Sequence, residues 1–369
     1  MGSRRFADAR LTRVVMPKTD PTWRFALGAR AESIGLLLEL VDDEGRVGLG
    51  WASEIPHLGY DIEVMEAVAR AHLPRVLAAD PADRHALVGN PWHPTLAAPV
   101  RSMVDQAWWD LLGRTVDAPV YRLLGGPAPK SLRVNRILSL KAPDDMAKVA
   151  AGLADEGYDH FKIKVENSPP ALDVARVEAI RDAVGPDAVL TVDANQSYDR
   201  KGAVAFGAAI ARFDVAVFEQ PVPQHDITGL RYVTEHSELT IEADEAADSL
   251  LAIRELLRER AVDAVSLKLS KLGGIDALVL AANLCHEHGI GYRIGAHVGS
   301  RIMNAAALHA AAALPGGEPA GEVGEFARLT GDVATGLEVD AGAVVASGEP
   351  GLGVRVEPRP TVPASPRNA

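Results

Sequence analysis

A single cysteine, Cys285, in 369 residues leaves the chain without an internal disulfide. The fold must therefore be held by its core, and a reducing compartment suits it. Cys285 falls in a helical-looking stretch, 277–288, where a buried thiol is the ordinary reading and a nucleophile is not. Basic residues are the minority, 38 against 50 acidic ones for a net charge of −12. With no basic tract to offset that excess, a nucleic-acid or anionic-membrane partner is not expected. No apolar run approaches the ~20 residues of a membrane span. The opening Met1-Gly2-Ser3-Arg4-Arg5-Phe6 has no apolar stretch behind its basic pair, so no signal peptide is expected, and position 6 lacks the Ser or Thr of a myristoylation site. A cytoplasmic location is the expectation. Phosphate-binding loops are missing too: Gly273-Gly274 lacks the G-x-G-x-x-G form and no Walker-type loop occurs, so dinucleotide binding is unsupported.

What is present is a large soluble chain, 47% hydrophobic and 24% charged, long enough for a barrel or several domains. Near the start, 33–41 and 47–51 read as strands around the turn Asp42-Asp43-Glu44-Gly45. Residues 62–77 and 99–113 carry apolar side chains at helical spacing, the second with Val104, Ala107, Trp108 and Leu111 on one stripe. Leu123-Leu124-Gly125-Gly126-Pro127 interrupts the pattern and marks a boundary. Beyond it, strand-like runs end near Leu140, Lys164, Asp193, Glu219, Asp244, Lys268 and His297, separated by Ala- and Leu-rich helical stretches. The intervals from 164 are 29, 26, 25, 24 and 29 residues, each the length of one β/α unit. Seven units in succession favour closure into a barrel over an open sheet. A last short strand is expected within 321–326. Gly-rich hairpin signals resume over 331–356, as if the chain rejoined its N-terminal part, and a loose Pro-rich tail follows from 357.

In a parallel barrel, polar residues at the strand C-termini share one mouth. Asp193, Glu219 and Asp244 each follow an apolar run. Three hard oxygen ligands without a nearby thiolate suit Mg²⁺, with Mn²⁺ possible, and argue against a cysteine-zinc site. A lone strand-end carboxylate is commonplace and can simply cap the next helix; three on successive units, flanked by lysines, form a set. Lys162 and Lys164 share a strand face, because side chains repeat every two residues. Mutual repulsion and a nearby dication should lower their pKa from about 10.4 toward neutrality. Lys164, nearer the mouth, is the expected proton carrier and Lys162 its electrostatic neighbour, with Lys268 facing the substrate from the other side. The plain alternative for any one of them is a solvated strand-end charge in an ion pair.

These residues resemble the enolase superfamily, in particular its muconate-lactonizing-enzyme subgroup. The likeness rests on Lys162-Ile163-Lys164, Val192-Asp193-Ala194-Asn195, Phe218-Glu219-Gln220-Pro221, Ala243-Asp244-Glu245 and Lys268-Leu269-Ser270-Lys271-Leu272-Gly273-Gly274. Val104-Asp105 through Trp109-Asp110 and Leu123 to Gly126 extend it into the N-terminal part. The resemblance implies an α/β architecture, a modified TIM barrel (β/α)₇β over 127–326 under an α+β capping domain (1–126) completed by the segment 327–369. It implies a Mg²⁺ site of Asp193, Glu219 and Asp244, with Lys164 and Lys268 as acid/base partners on opposite faces of a small carboxylate substrate. The expected activity is racemisation, epimerisation or cycloisomerisation through an enediolate. A dehydratase of a hydroxy acid or hydroxyproline-like compound uses the same intermediate, and a metal-binding scaffold is the non-enzyme alternative. A homo-oligomer is implied by the family alone.

The chain also departs from its relatives. Gly299 replaces the subgroup's acidic residue before Ser300. His297 stands where mandelate-racemase relatives carry a catalytic histidine, but Lys268 occupies the place of that histidine's Asp, so His297 reads as a substrate contact or structural group. The Asp-x-Asp of dipeptide epimerases is replaced by Glu322 and Glu325, which disfavours an Ala-Glu dipeptide. Substrate selection in this family comes from capping loops, here 18–25 with Trp23 and Arg24 and 54–60 with His57. Trp23 is expected either against an apolar or cationic part of the substrate or in plain interdomain packing. Asn195, His297 and Glu322 complete the candidate contacts.

Overall fold

A computed structural model describes residues 5–356 of the protein; the expected tail from 357 lies outside the described residues. The N-terminal unit is an antiparallel sheet of β1 (Phe6–Pro17), β2 (Glu32–Asp42) and β3 (Val47–Ser53), with β2 in the centre. Helices α1 (Ile62–Ala78) and α2 (Ala98–Thr115) pack on it. Strand β1 escapes the sequence reading because its apolar residues do not keep to one alternating face and only Phe6, Val14 and Met16 are buried.

Strand β3 is a sheet edge, and α2 covers it. The Asp110 carboxylate accepts from Leu49 N–H at 2.9 Å, and Gln106 Oε1 accepts from Trp51 N–H at 3.2 Å. This close approach requires Gly48 and Gly50, which alternate on the face toward the helix. A Cβ at Gly50 would overlap the Met103 carbonyl oxygen, and one at Gly48 that of Ala107. Gly50→Ala is therefore expected to lower stability by about 1–3 kcal/mol through overpacking against backbone. Gly152, inside a later helix with open space around its Cα, is the contrast: Gly152→Ala should raise stability by about 0.5–1 kcal/mol. Urea midpoints for the two variants check the opposite signs.

From Ser131 the chain runs through parallel strands alternating with helices: β4 (Ser131–Leu138), α3 (Pro143–Asp155), β5 (His160–Lys164), α4 (Pro170–Val184), β6 (Val189–Asp193), α5 (Arg200–Ile210), β7 (Val215–Glu219) and α6 (Ile227–His236). It continues with β8 (Thr240–Ala243), α7 (Leu250–Glu259), β9 (Ala264–Lys268), α8 (Ile275–Glu287), β10 (Gly291–Gly295), α9 (Arg301–Ala313) and β11 (Ala320–Gly321). Strands pair in sequence order, β11 returns to β4, and a Gly295–Glu322 bridge closes the ring. The architecture is thus an eight-stranded parallel barrel with seven connecting helices under an α+β cap. The last strand is shorter and earlier than expected: pairing stops at Gly321 apart from the Glu322 bridge, and Glu325–Arg328 is a 3-10 turn.

The two units are joined by buried polar contacts. Asp105 of α2 accepts from Ile275 N–H at 2.6 Å and pairs with Arg84 at 2.5 Å, while Arg101 donates to Leu272 O. The Gly273-Gly274 turn admits these side chains: both residues have positive φ, and a Cβ on either would strike Arg101 or Asp105. Past the barrel, Thr330 N–H donates to Pro17 O, Leu352 N–H to Asp110 and Arg114 to Val354 O. Between these contacts Ala343–Val345 adds an antiparallel strand to β4.

Candidate active site

The register of the barrel builds the site. Lys164 lies beside Asp193, and Asp193 beside Glu219, so the ends of β5, β6 and β7 form one lateral row. Asp244 lies just past β8, and Lys268 ends β9. Lys268 is level with Gly295, which is level with Glu322. A glycine is needed at that middle position: a Cβ on Gly295 would press on both the Lys268 stem and Glu322. In the ring order, β5 and β9 are the second and sixth of eight strands. Lys164 and Lys268 therefore face each other across the mouth, with the three carboxylate positions on the strands between them.

The lysines and acids form one buried network. Lys162 Nζ lies 2.9 Å from Asp193 Oδ2, 2.6 Å from Glu219 Oε1 and 2.5 Å from Glu322 Oε1. Lys164 Nζ donates to Asp193 Oδ2 at 2.5 Å and to Asn195 Oδ1 at 2.8 Å. Asn195, at φ 42°, passes the contact on by donating to Glu245 Oε1 at 3.0 Å. Lys268 Nζ lies 2.6 Å from Asp244 Oδ2 and 3.2 Å from Glu322 Oε2. Lys271 holds Asp244 from below through its carbonyl oxygen (2.5 Å) and its Oδ1. Neither Lys271 nor Glu245 is singled out by the strand-end rule, because each belongs to the turn after a strand.

The charges behave differently from the sequence expectation. Burial pulls Lys162 down, but Asp193, Glu219 and Glu322 outweigh it and hold its ammonium well above the ordinary value. Lys268 is raised in the same way by Asp244 and Glu322. For Lys162 the expected fall toward neutrality is reversed because carboxylates, not fellow ammonium groups, are its nearest neighbours. The acids divide. Against the opposing effect of burial, Asp193 is held low by Lys162 and Lys164, and Asp244 well below the usual range by Lys268 and Lys271. Burial and Asp193 push Glu219 well up, and burial with Asp244 pushes Glu245 to about 7.

A dication fits this donor set. Four lysines face five carboxylates, and Glu219 Oε2 is buried with no hydrogen-bond partner. Among the described residues no three acidic or imidazole side chains yet converge on one point. Lys162 Nζ stands between Asp193 and Glu219, so binding an ion requires those carboxylates to turn toward it.

Of the capping residues, Trp23, Phe25 and His57 line the cavity over this network, with Ile137, Asn195, His297 and Glu322. The cavity encloses about 810 Å³ including its open mouth. Arg24 is not brought in. Its neighbours in sequence alternate inward, and Arg24 turns out to pair with Glu166 at 2.5 Å. Glu325 likewise faces away, toward Arg136 and Arg328. His297 shares a 2.5 Å hydrogen bond with Ser270, and burial together with Lys268 holds it well below its ordinary pKa. His57 is lowered to about 4 by burial. Both rings are therefore neutral at neutral pH.

Known proteins give the same picture at three levels. Residues 8–125 match the mandelate racemase / muconate lactonizing enzyme N-terminal domain, and 145–359 the enolase C-terminal domain-like family. The chain is 32% identical to a hydrophobic dipeptide epimerase of Enterococcus faecalis over 91% of this chain and 96% of that one. It is 27% identical to an N-succinyl-L-Arg/Lys racemase of Bacillus cereus, covering 92% of each. The crystal structure of the Enterococcus faecalis dipeptide epimerase complexed with Mg and the dipeptide L-Leu-L-Tyr superposes with a TM-score of 0.89 at 28% identity, covering 95% of this chain and 99% of that one.

Proposed function

We propose, on the premise that this chain belongs to the mandelate racemase / muconate lactonizing enzyme family of the enolase superfamily, that it is a Mg²⁺-dependent isomerase acting on the α-carbon of a carboxylate substrate. The observation that carries the reading is the pair of buried lysines, Lys164 and Lys268, on diametrically opposed strands and lining one cavity. A carbon acid between them can lose its proton to one amine and regain one from the opposite ammonium. The C–H electron pair passes into the carboxylate as an enediolate, and reprotonation on the far face inverts the centre.

Asp193, Glu219 and Asp244 would hold the Mg²⁺, which when bound supplies positive charge to the substrate carboxylate and to the developing enediolate. Lys162 balances Glu219 and Glu322 and keeps the neighbouring lysine oriented by Asp193. Asn195 accepts from Lys164 Nζ and so fixes its direction. The aromatic lid of Trp23, Phe25 and His57 excludes water, which strengthens each charge interaction beneath it. Glu322 is engaged by two lysines and so joins the two sides of the network.

The test is α-proton exchange. Carboxylates and N-substituted amino acids incubated with the Mg²⁺-supplied protein in D₂O are expected to gain one deuterium, with inversion and no other change of mass. Loss of water in place of inversion would assign the dehydratase reaction, and no incorporation across the panel would overturn the carbon-acid reading.

A further inference from the structure

We infer that the cap holds a second anion subsite, built from Lys18 and the indole N–H of Trp23, and that the substrate is a dicarboxylate whose far carboxylate docks there. The inference rests on the proposed carbon-acid function for the first carboxylate only. Lys18 follows β1 and is 8% exposed; Trp23 is 6% exposed, and both line the cavity over the lysine pair. The Lys18 ammonium has three donors and makes one hydrogen bond, to Arg30 O at 2.8 Å. Among the described residues no carboxylate lies within ion-pair distance of it. Trp23 Nε1 is buried with no acceptor. Unsatisfied donors of this kind are costly inside a protein. The two residues are neighbours on one cavity wall, and an acceptor delivered by the ligand would satisfy both donors.

The surroundings favour an anion. The Lys18 Nζ stands 4.0 Å from the Trp23 ring centroid, so one face of the indole is already covered by the protein's own cation. A cationic substrate part on that face of Trp23 would meet Lys18. Burial lowers Lys18 to about 8, with Arg328 and Arg30 adding to the effect over the opposing pull of Glu325; a bound anion would restore the ammonium. The acidic residues of the cavity's outer rim do not compete. Glu54 is 3.6 Å from Arg30, and Glu32 is exposed to solvent.

An ammonium and one N–H match the two oxygens of a carboxylate, whereas a phosphate would call for more donors. From Lys164 Nζ to the Phe25 ring is 5.5 Å, and from Phe25 to Trp23 is 5.4 Å. With the 4.0 Å to Lys18 these steps fall within the reach of one extended small molecule. The stem of that molecule would cross the apolar floor of Phe25 and Ile137, which cluster with Trp23 apart from the main core.

Calorimetry on the Mg²⁺-supplied full chain tests this without turnover. The probes are α,ω-dicarboxylates from glutarate to suberate, each against its own monoamide. One length is expected to bind about 10-fold or more tighter than its monoamide, the worth of a hydrogen bond to a charged group. In Lys18→Met the preference should fall to within twofold, and in Trp23→Phe it should weaken, each read as the ratio of diacid to monoamide binding within the same variant. Equal binding of diacid and monoamide at every length, no binding of either, or a preference that survives in Lys18→Met would overturn the subsite. The wild-type comparison needs no variant to fold. A subsite that binds while no carbon acid exchanges deuterium would sink the isomerase reading and leave this one standing.

Discussion

Lys164→Ala and Lys268→Ala are each expected to abolish inversion while sparing exchange on one face. With Lys164 gone, the enantiomer whose α-proton points at Lys268 should still wash in deuterium, without racemising; Lys268→Ala should show the mirror pattern. The loss in kcat for the inverted direction should be about 10²–10⁴-fold, the usual share of a positioned acid or base. Mass spectrometry of each enantiomer in D₂O, with chiral chromatography, reads both effects. The reciprocity matters because the two residues differ in surroundings: Lys164 is held by Asp193 and Asn195, Lys268 by Asp244 and Glu322. A merely structural lysine would lower all exchange together when removed. Inversion that persists in either variant, or exchange lost equally for both enantiomers, would refute the two-base arrangement.

Removing divalent metal should be as severe. Dialysis against EDTA is expected to stop exchange, and Mg²⁺ to restore it, with Mn²⁺ as a weaker or comparable substitute. The structural ground is the crowding of carboxylates in the cluster, where Glu219 Oε2 is buried without a hydrogen-bond partner. A second readout does not depend on turnover: Mg²⁺ should raise the thermal midpoint, by an amount equivalent to about 2.7 kcal/mol at a hundredfold excess over Kd. Glu219→Gln should remove most of that shift, and should also lower the metal-free midpoint because it takes a partner from the buried Lys162 ammonium. Full exchange in protein shown to be metal-free by elemental analysis would defeat the prediction.

The parts of the site legible in sequence were those set by strand periodicity. Lys162 and Lys164 share a face because side chains alternate, and Asp193, Glu219 and Lys268 close their runs at β/α intervals, with Asp244 following β8 at the same spacing; these local facts survive into the barrel unchanged. Strand β1 was not legible, since its apolar residues Ala7, Ala9 and Leu11 alternate out of phase with the buried Val14 and Met16. Arg24 was misplaced for a related reason: its position beside Trp23 says nothing about which neighbour faces in, and it turns out to Glu166. The direction of the lysine shifts also lay beyond sequence. It depends on Glu322, which comes 160 residues after Lys162 yet lies 2.5 Å from its Nζ.

The sequence by itself determined the order of the β/α units, the residue at the mouth end of each strand and hence the family, because those follow from patterns a few residues long. Only the tertiary structure decided how these residues are paired. Closing the barrel set Glu322 against Lys162 and Lys268, and folding the cap over it brought Lys18 and Trp23 into the same cavity. Electrostatic and packing energies depend on distance in space, and no spacing along the chain encodes the contacts that closure creates.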